Sequence, residues 1–135
     1  MLISEFVKAR GVSDVLLGSI VTYPEEVKQK VLGVKKQTLK LYTAESQQVT
    51  NEMVMGLHKL LKADVCVAVT GLCGSGGSES KEKPVGTVFF SILCQGKVEE
   101  FREVFDGGGT QIRKMAAEFI FRKVEDTLDR HFAHQ

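Results

Sequence analysis

The sequence predicts an α/β protein: a three-layer α/β/α sandwich with a mixed sheet. Two observations carry that reading. Helix-period patterns lie before, between and after β-rich runs, which places helices on both faces of a sheet. A central stretch from Asp64 to Cys94 reads as strand, glycine-rich loop, strand. At 135 residues the chain is read as one domain spanning 1–135, long enough to bury a real core.

Taken in order, Met1 to Arg10 reads as a short helix with Leu2, Ile3, Phe6 and Val7 on one face, ended by Gly11. Asp14 to Tyr23 is β-rich and is expected to be the first strand. Pro24 then opens a helix at its first position, with Glu25 and Glu26 in the favourable first turn. Val27 and Val31, four apart, are expected on its buried face, and Gly33 closes it. Gln37 to Tyr42 predicts a short helical turn. From Ser46 to Lys62 the spacing of Val49, Met53, Leu57, Leu60 and Leu61 marks an amphipathic helix packed on the sheet. His58 lies next to that apolar face, where a satisfied or exposed imidazole is the expectation.

Val65 to Val69 is an unbroken apolar run, the pattern of a strand buried on both faces. It stops at Thr70-Gly71-Leu72-Cys73-Gly74-Ser75-Gly76-Gly77. After a polar tip, Lys83-Pro84-Val85-Gly86-Thr87 leads into a second apolar strand, Val88 to Cys94. Lys97 to Phe105 alternates imperfectly and carries charge, as an edge strand does. Beyond the Asp106–Gly109 loop, Thr110 is placed to cap a last helix. Ile112, Ala116, Ile120, Val124 and Leu128 form its stripe, and Arg130 to Gln135 is expected to fray.

Composition excludes several classes. Hydrophobic residues make up 43% and charged residues 26% of the chain, and the net charge is +1. That gives no electrostatic case for nucleic acid or for a membrane surface. No apolar run approaches the ~20 residues of a membrane span, and no signal peptide opens the chain. Three cysteines, two of them in predicted strands, fit free thiols in a reducing cytoplasm. No C-x-x-C pair suggests zinc, and neither a metal nor a cofactor is called for.

The glycine-rich loop holds four glycines in the seven residues from Gly71 to Gly77. Such a loop lets backbone N–H groups converge on an anion or an oxyanion, and a plain flexible turn is the other reading. It is not a Walker loop, since no Gly-Lys-Ser/Thr closes it. Nor is it the dinucleotide fingerprint, because a strand follows instead of a helix.

Thr70-Gly71 through Gly77, followed by Lys83-Pro84-Val85-Gly86-Thr87-Val88, resembles the signature of the CinA C-terminal domain family. The segment from Tyr23 through Lys28 to Leu32-Gly33-Val34 is similar too, and the likeness runs from about residue 2 to 129. It implies the same sandwich fold and an activity: hydrolysis of the carboxamide of nicotinamide mononucleotide to nicotinic acid mononucleotide and ammonia. In the family a serine attacks and a lysine serves as its base. The resemblance assigns the base to Lys28, with Tyr23 beside it. It lines the substrate pocket with Thr70, Gly71, Gly74, Gly76 and Gly77, and places Arg113 at the substrate phosphate. A helix start plus a guanidinium is a good phosphate receptor.

Elementary chemistry sets a condition on Lys28. A lysine is a base only when neutral, and its ordinary pKa is about 10.4. The positive end of a helix dipole is worth about 0.3–1 kcal/mol against the cation, less than one pKa unit. Neutrality near pH 7 therefore requires burial as well.

The sequence departs from the family pattern in three places. Ser75 stands where many members have proline, which loosens the loop. Cys73, a potential nucleophile, occupies a position the family fills with a small residue. The family's serine belongs to a Glu-Ser-Cys-Thr-Gly-Gly motif ahead of the first helix, and that motif and the strand before it do not occur in these 135 residues. The expectation is a domain with base and binding loop but without its attacking group, inactive or impaired as written. A sheet flank left open by the missing strand favours self-association. The rival readings are a non-catalytic nucleotide-binding or scaffold homologue, and a thiol hydrolase built on Cys73.

Overall fold

The structure is a computed structural model that describes residues 2–6 and 11–132. Helix α1 (Leu2–Phe6) is followed by a short 3-10 turn at Val12–Asp14, then α2 (Glu25–Leu32), α3 (Lys36–Tyr42) and α4 (Gln47–Leu61). Three strands follow, β1 (Val65–Gly71), β2 (Thr87–Cys94) and β3 (Lys97–Val104), and α5 (Gly109–Phe132) closes the chain. The expected helix at residues 7–10 and the fraying at 133–135 fall outside the described residues.

The three strands form one sheet in the order β1-β2-β3, with both pairings antiparallel. Val65 faces Cys94 and Gly71 faces Val88, so the glycine-rich segment is the connection of a long hairpin. The α/β class and the three layers stand. Among the described residues, however, the sheet is antiparallel throughout and not mixed.

Period-two alternation decides which layer each strand residue meets. Cys66, Ala68 and Leu93 pack with Val49, Met53, Val54, Leu32 and Leu39 from α2, α3 and α4. Val88, Phe90 and Ile92 turn the other way, onto Ile112, Ala116 and Ile120 of α5. Every residue of β2 is buried because this strand is central and covered on both faces. In β1 only alternate residues are fully buried, as befits an edge strand.

The first expected strand is absent. Residues 16–23 carry no strand assignment, and Val15, Leu17, Val21 and Tyr23 stand 69%, 62%, 81% and 90% exposed. β-Branched composition expresses fitness for a half-buried pleated surface, and here no neighbouring strand supplies one.

Helix α2 brings a second correction. Its buried residues are Lys28 and Leu32, while Val27 is half-buried and Val31 exposed. The contact with α4 fixes this rotation: a methyl at Gly56 would fall 1.8 Å from the Leu32 carbonyl oxygen. Only glycine lets the two helices approach so closely, and the approach turns Lys28 inward. Pro24 sits just outside the helix as its N-cap, and Gly33 ends it at φ +71°.

Elsewhere the local rules hold with small shifts. Ser46 caps α4, its Oγ accepting from the Val49 N–H at 3.2 Å. Thr110 does not cap α5 but lies within it, and the Gln111 side chain accepts from the Gly108 N–H instead. The α5 stripe is buried at Ile112, Ala116 and Ile120, then rotates so that Thr127 is buried and Leu128 is 43% exposed. Arg130 meets Glu99 at 2.6 Å, and the helix runs on to Phe132.

Candidate functional site

Lys28 is the exception among the described lysines: only 7% of its surface is exposed. Its Nζ donates to the Thr22 carbonyl and, at 3.4 Å, to the Tyr23 carbonyl. The unladdered segment before α2 thus offers its carbonyls to a side chain instead of to a strand. Burial pushes the Lys28 pKa below the ordinary lysine range, and the negative charges of Glu45 and, less strongly, Glu25 pull it back up. Beside it, Thr22 Oγ1 is buried with no hydrogen-bond partner among the described residues. The Tyr23 side chain points into solvent, so it is the Tyr23 backbone that meets Lys28.

Glu45 leads from Lys28 to the glycine-rich hairpin. The Ser78 hydroxyl donates to Glu45 Oε2 at 2.7 Å. Lys83 Nζ donates to the Glu45 carbonyl and to Thr43 Oγ1, each at 2.7 Å, and Thr43 Oγ1 donates to Ser78 Oγ at 3.2 Å. The Lys83 pKa is lowered by burial, against the raising effect of Glu45. Thr43 holds φ +67°, a conformation that costs a β-branched residue roughly 1–3 kcal/mol and persists only where its surroundings over-determine it. This polar cluster joins residues 35 and 40 positions apart, so no sequence spacing could have announced it. The one signal available was Lys83 within the Lys-Pro-Val-Gly block.

The predicted loop residues separate onto two faces of the sheet. Thr70 is 8% exposed and turns toward α4, where its hydroxyl meets Thr50 Oγ1 at 2.8 Å. Thr50 gives its single proton to the Ser46 carbonyl at 2.6 Å, so Thr70 must be the donor in that pair. Gly71 turns the opposite way. With Cys73, Val69, Val88, Phe90 and Arg113 it lines a cavity of about 150 Å³ between the sheet and α5. A Cβ at Gly109 would lie 3.0 Å from the Cys73 carbonyl oxygen and 3.2 Å from Arg113 Nη1, which shows how tightly the first turn of α5 abuts the loop.

Further along, Gly74, Gly76 and Gly77 are exposed, and Gly76 takes φ +90°. The N–H groups of Gly76 and Gly77 donate to the Glu79 carboxylate. The structure therefore brings Gly71 and Arg113 together, places Glu45 on the hairpin's Ser78 where its charge also acts on Lys28, and directs the Thr70 side chain into the α4 layer.

All three cysteines are free, with Cys66 and Cys94 buried and Cys73 half-buried. Burial raises the thiol pKa of both buried cysteines. His58 is exposed, its Nδ1 3.9 Å from Cys66 Sγ. Among the described residues no group of three His, Cys, Asp or Glu could hold a metal ion, and no helix is long and apolar enough to cross a membrane.

Fold and site together define an α/β sandwich domain with a lysine buried at the start of α2 and a glycine-rich hairpin joining β1 to β2. The sequence profile of the CinA C-terminal domain matches residues 1–128. The chain belongs to the CinA C-terminal domain family. It is 39% identical over 133 residues to a CinA-like protein of Petrotoga mobilis, covering 98% of this chain and 32% of the relative. It is 45% identical over 118 residues to a CinA-like protein of Thermotoga neapolitana, covering 87% of this chain and 28% of that relative. The chain thus spans about a third of the length of these curated relatives.

Solved structures agree. The competence damage-inducible protein A of Klebsiella pneumoniae superposes with a TM-score of 0.90 at 28% identity, over 97% of this chain and 80% of that one. The competence/damage inducible protein of Agrobacterium tumefaciens gives 0.86 at 31% identity, over 93% and 76%.

Proposed function

We propose that this domain is the base-and-binding part of an amidohydrolase acting on nicotinamide mononucleotide. Water cleaves the carboxamide C–N bond, leaving nicotinic acid mononucleotide and ammonia. The observation that carries this reading is the burial of Lys28. A lysine held at 7% exposure, with its pKa lowered by lost solvation, is shifted in the direction a general base needs. The orphan hydroxyl of Thr22 beside it offers a further polar contact. Arg113, the charged residue on the α5 cavity, supports a contact to the substrate phosphate.

Lys28 alone would only position water, and general-base help typically contributes about 10²–10⁴-fold, short of the usual enzymatic range. A carboxamide is a poor electrophile and is opened through a nucleophile within hydrogen-bond reach of its base. We assign that role to the serine of a Glu-Ser-Cys-Thr-Gly-Gly segment joined ahead of α1, which residues 1–135 do not contain.

The test is ammonia release from nicotinamide mononucleotide. The 135-residue polypeptide should turn over negligibly while still binding the nucleotide. A chain extended by the strand and serine segment should be active, and Lys28→Ala in that extended chain should abolish turnover. Robust activity of the 135-residue polypeptide would remove the serine from the mechanism and make Cys73→Ala the next variant. Nucleotide binding without turnover by the extended chain would leave the non-catalytic reading in its place.

A further inference from the structure

The glycine-rich loop already holds an anion, and it is the chain's own. Gly76 N–H donates to Glu79 Oε1 at 2.9 Å, and Gly77 N–H donates to Glu79 Oε2 at 2.9 Å. Two successive amides thus take the two oxygens of one carboxylate, each with its own bond. Gly76 sits at φ +90°, a conformation that L side chains rarely adopt and that turns its amide toward the same group as its neighbour's. A pair of adjacent oxyanion oxygens is what a phosphate monoester also presents, so the receptor built for Glu79 fits that class of ligand.

Three further facts bear on exchange. Glu79 belongs to the polar tip Ser78-Glu79-Ser80, where Ser80 is exposed, so its carboxylate can turn out into water without disturbing either core. The Gly76 amide above all holds the Glu79 carboxyl below the usual carboxylate range, with its own and the Gly77 amide adding to it. The neighbouring residue Ser78 is anchored separately to Glu45, so the hairpin keeps its place when Glu79 leaves.

We propose that Glu79 is an intramolecular occupant of an oxyanion site, and that a phosphate group enters the Gly76–Gly77 amides only by displacing it. Glu79 thereby sets the threshold for ligand binding at the loop. The inference rests on the proposed reading of this domain as a nucleotide-binding part, and it adds to the Arg113 contact a second anion contact at the loop with a self-competing group in it. Because a charge-assisted bond to each amide is exchanged for another, removal of Glu79 should tighten phosphate binding by about tenfold.

The experiment is an NMR titration of inorganic phosphate into the ¹⁵N-labelled 135-residue chain at fixed pH and ionic strength, following the Gly76 and Gly77 amides. The unaltered chain should respond weakly. Glu79→Ala and Glu79→Gln should show saturable shifts of both amides at about tenfold lower phosphate. Equal affinity in all three chains would overturn the proposal. So would shifts that vanish with Arg113→Ala while Gly76 and Gly77 stay still, since phosphate would then be held at the guanidinium alone. Glu79→Ala alone could let the loop collapse, but Glu79→Gln keeps one acceptor oxygen. If both variants lose the dispersed Gly76 and Gly77 signals and phosphate does not restore them, Glu79 is a structural clasp and the proposal falls. Turnover is not read, so failure of the amidohydrolase reading and failure of this one remain separate results.

Discussion

On the α5 face of the sheet, Phe90, Ile92, Ile112 and Ile120 are buried to within 1% of completeness, and the Phe119 ring lies 4.9 Å from that of Phe90. On the opposite face, buried polar groups stand among the apolar ones of Val49, Val54 and Leu93. Thr50 and Thr70 share a hydroxyl pair, Ser91 donates to Asn51, and Lys28 is held by two carbonyls. The α5 face is thus an area-driven core that supplies stability without geometry of its own. The α2–α4 face buries an apolar cluster too, but it adds polar groups that are costly unless met by a partner, so hydrogen bonds help to dictate its positions. The candidate base sits on the second kind of face. The cavity beside Arg113 borders the first.

The comparison breaks most clearly at Phe90. Phe90→Ala removes a fully buried ring from the α5 face and should cost about 3–5 kcal/mol in urea unfolding. The hydrogen bonds that hold Lys28 lie on the other face, so the Lys28 titration should be unchanged in the folded fraction. A shift of that titration would show that the two faces are not independent.

Gly56→Ala tests the other face. Alanine is the better helix former by ~1 kcal/mol, yet its methyl would overlap the Leu32 carbonyl oxygen. Relieving the clash moves α2, and overpacking of this kind typically costs about 1–3 kcal/mol. The larger consequence should be at Lys28, which rides on α2. Its pKa, followed by NMR of the labelled lysine, should rise toward the ordinary value as the side chain regains water. An unchanged Lys28 titration in a destabilised protein would separate the helix contact from the site.

The smallest expected effect is electrostatic. Glu45 opposes the desolvation of Lys28, so Glu45→Gln should lower the Lys28 pKa further. Lysine loses its proton as pH rises, and a lower pKa means that the neutral base appears at lower pH. The rising limb of ammonia release by the serine-extended chain should therefore move toward acid. The sign for stability follows from the same shift. With a folded-state pKa below the unfolded value of 10.5, Lys28 holds fewer protons folded than unfolded, so its contribution improves as pH rises through that window. Removing Glu45 should deepen that dependence. A limb that stays in place or moves to higher pH would mean that Glu45 does not act on Lys28.

Much of the fold was legible before any coordinates. Continuous apolar runs located β1 and β2, an imperfect charged alternation β3, and helical periods α4 and α5, each within a few residues. The hairpin followed from two apolar runs bracketing glycines. The signal failed at residues 14–23, where composition alone suggested a strand, and at Val27 and Val31, where valine spacing pointed to the wrong side of α2.

What the sequence determined by itself was the class of fold and the family, because periodicity and the Gly-rich and Lys-Pro-Val-Gly blocks are local. Which side of α2 is buried was decided only in three dimensions, by the contact between Gly56 and the Leu32 carbonyl. Tertiary structure also decided that Thr70 turns to α4 and Gly71 to α5, and that Glu45, whose charge acts on Lys28, meets Ser78 and Lys83. Each of these depends on groups brought together from far along the chain, or on a rotation of one residue. Hydrophobic pattern fixes neither, since burial is nearly indifferent to direction and a hydrogen bond is not.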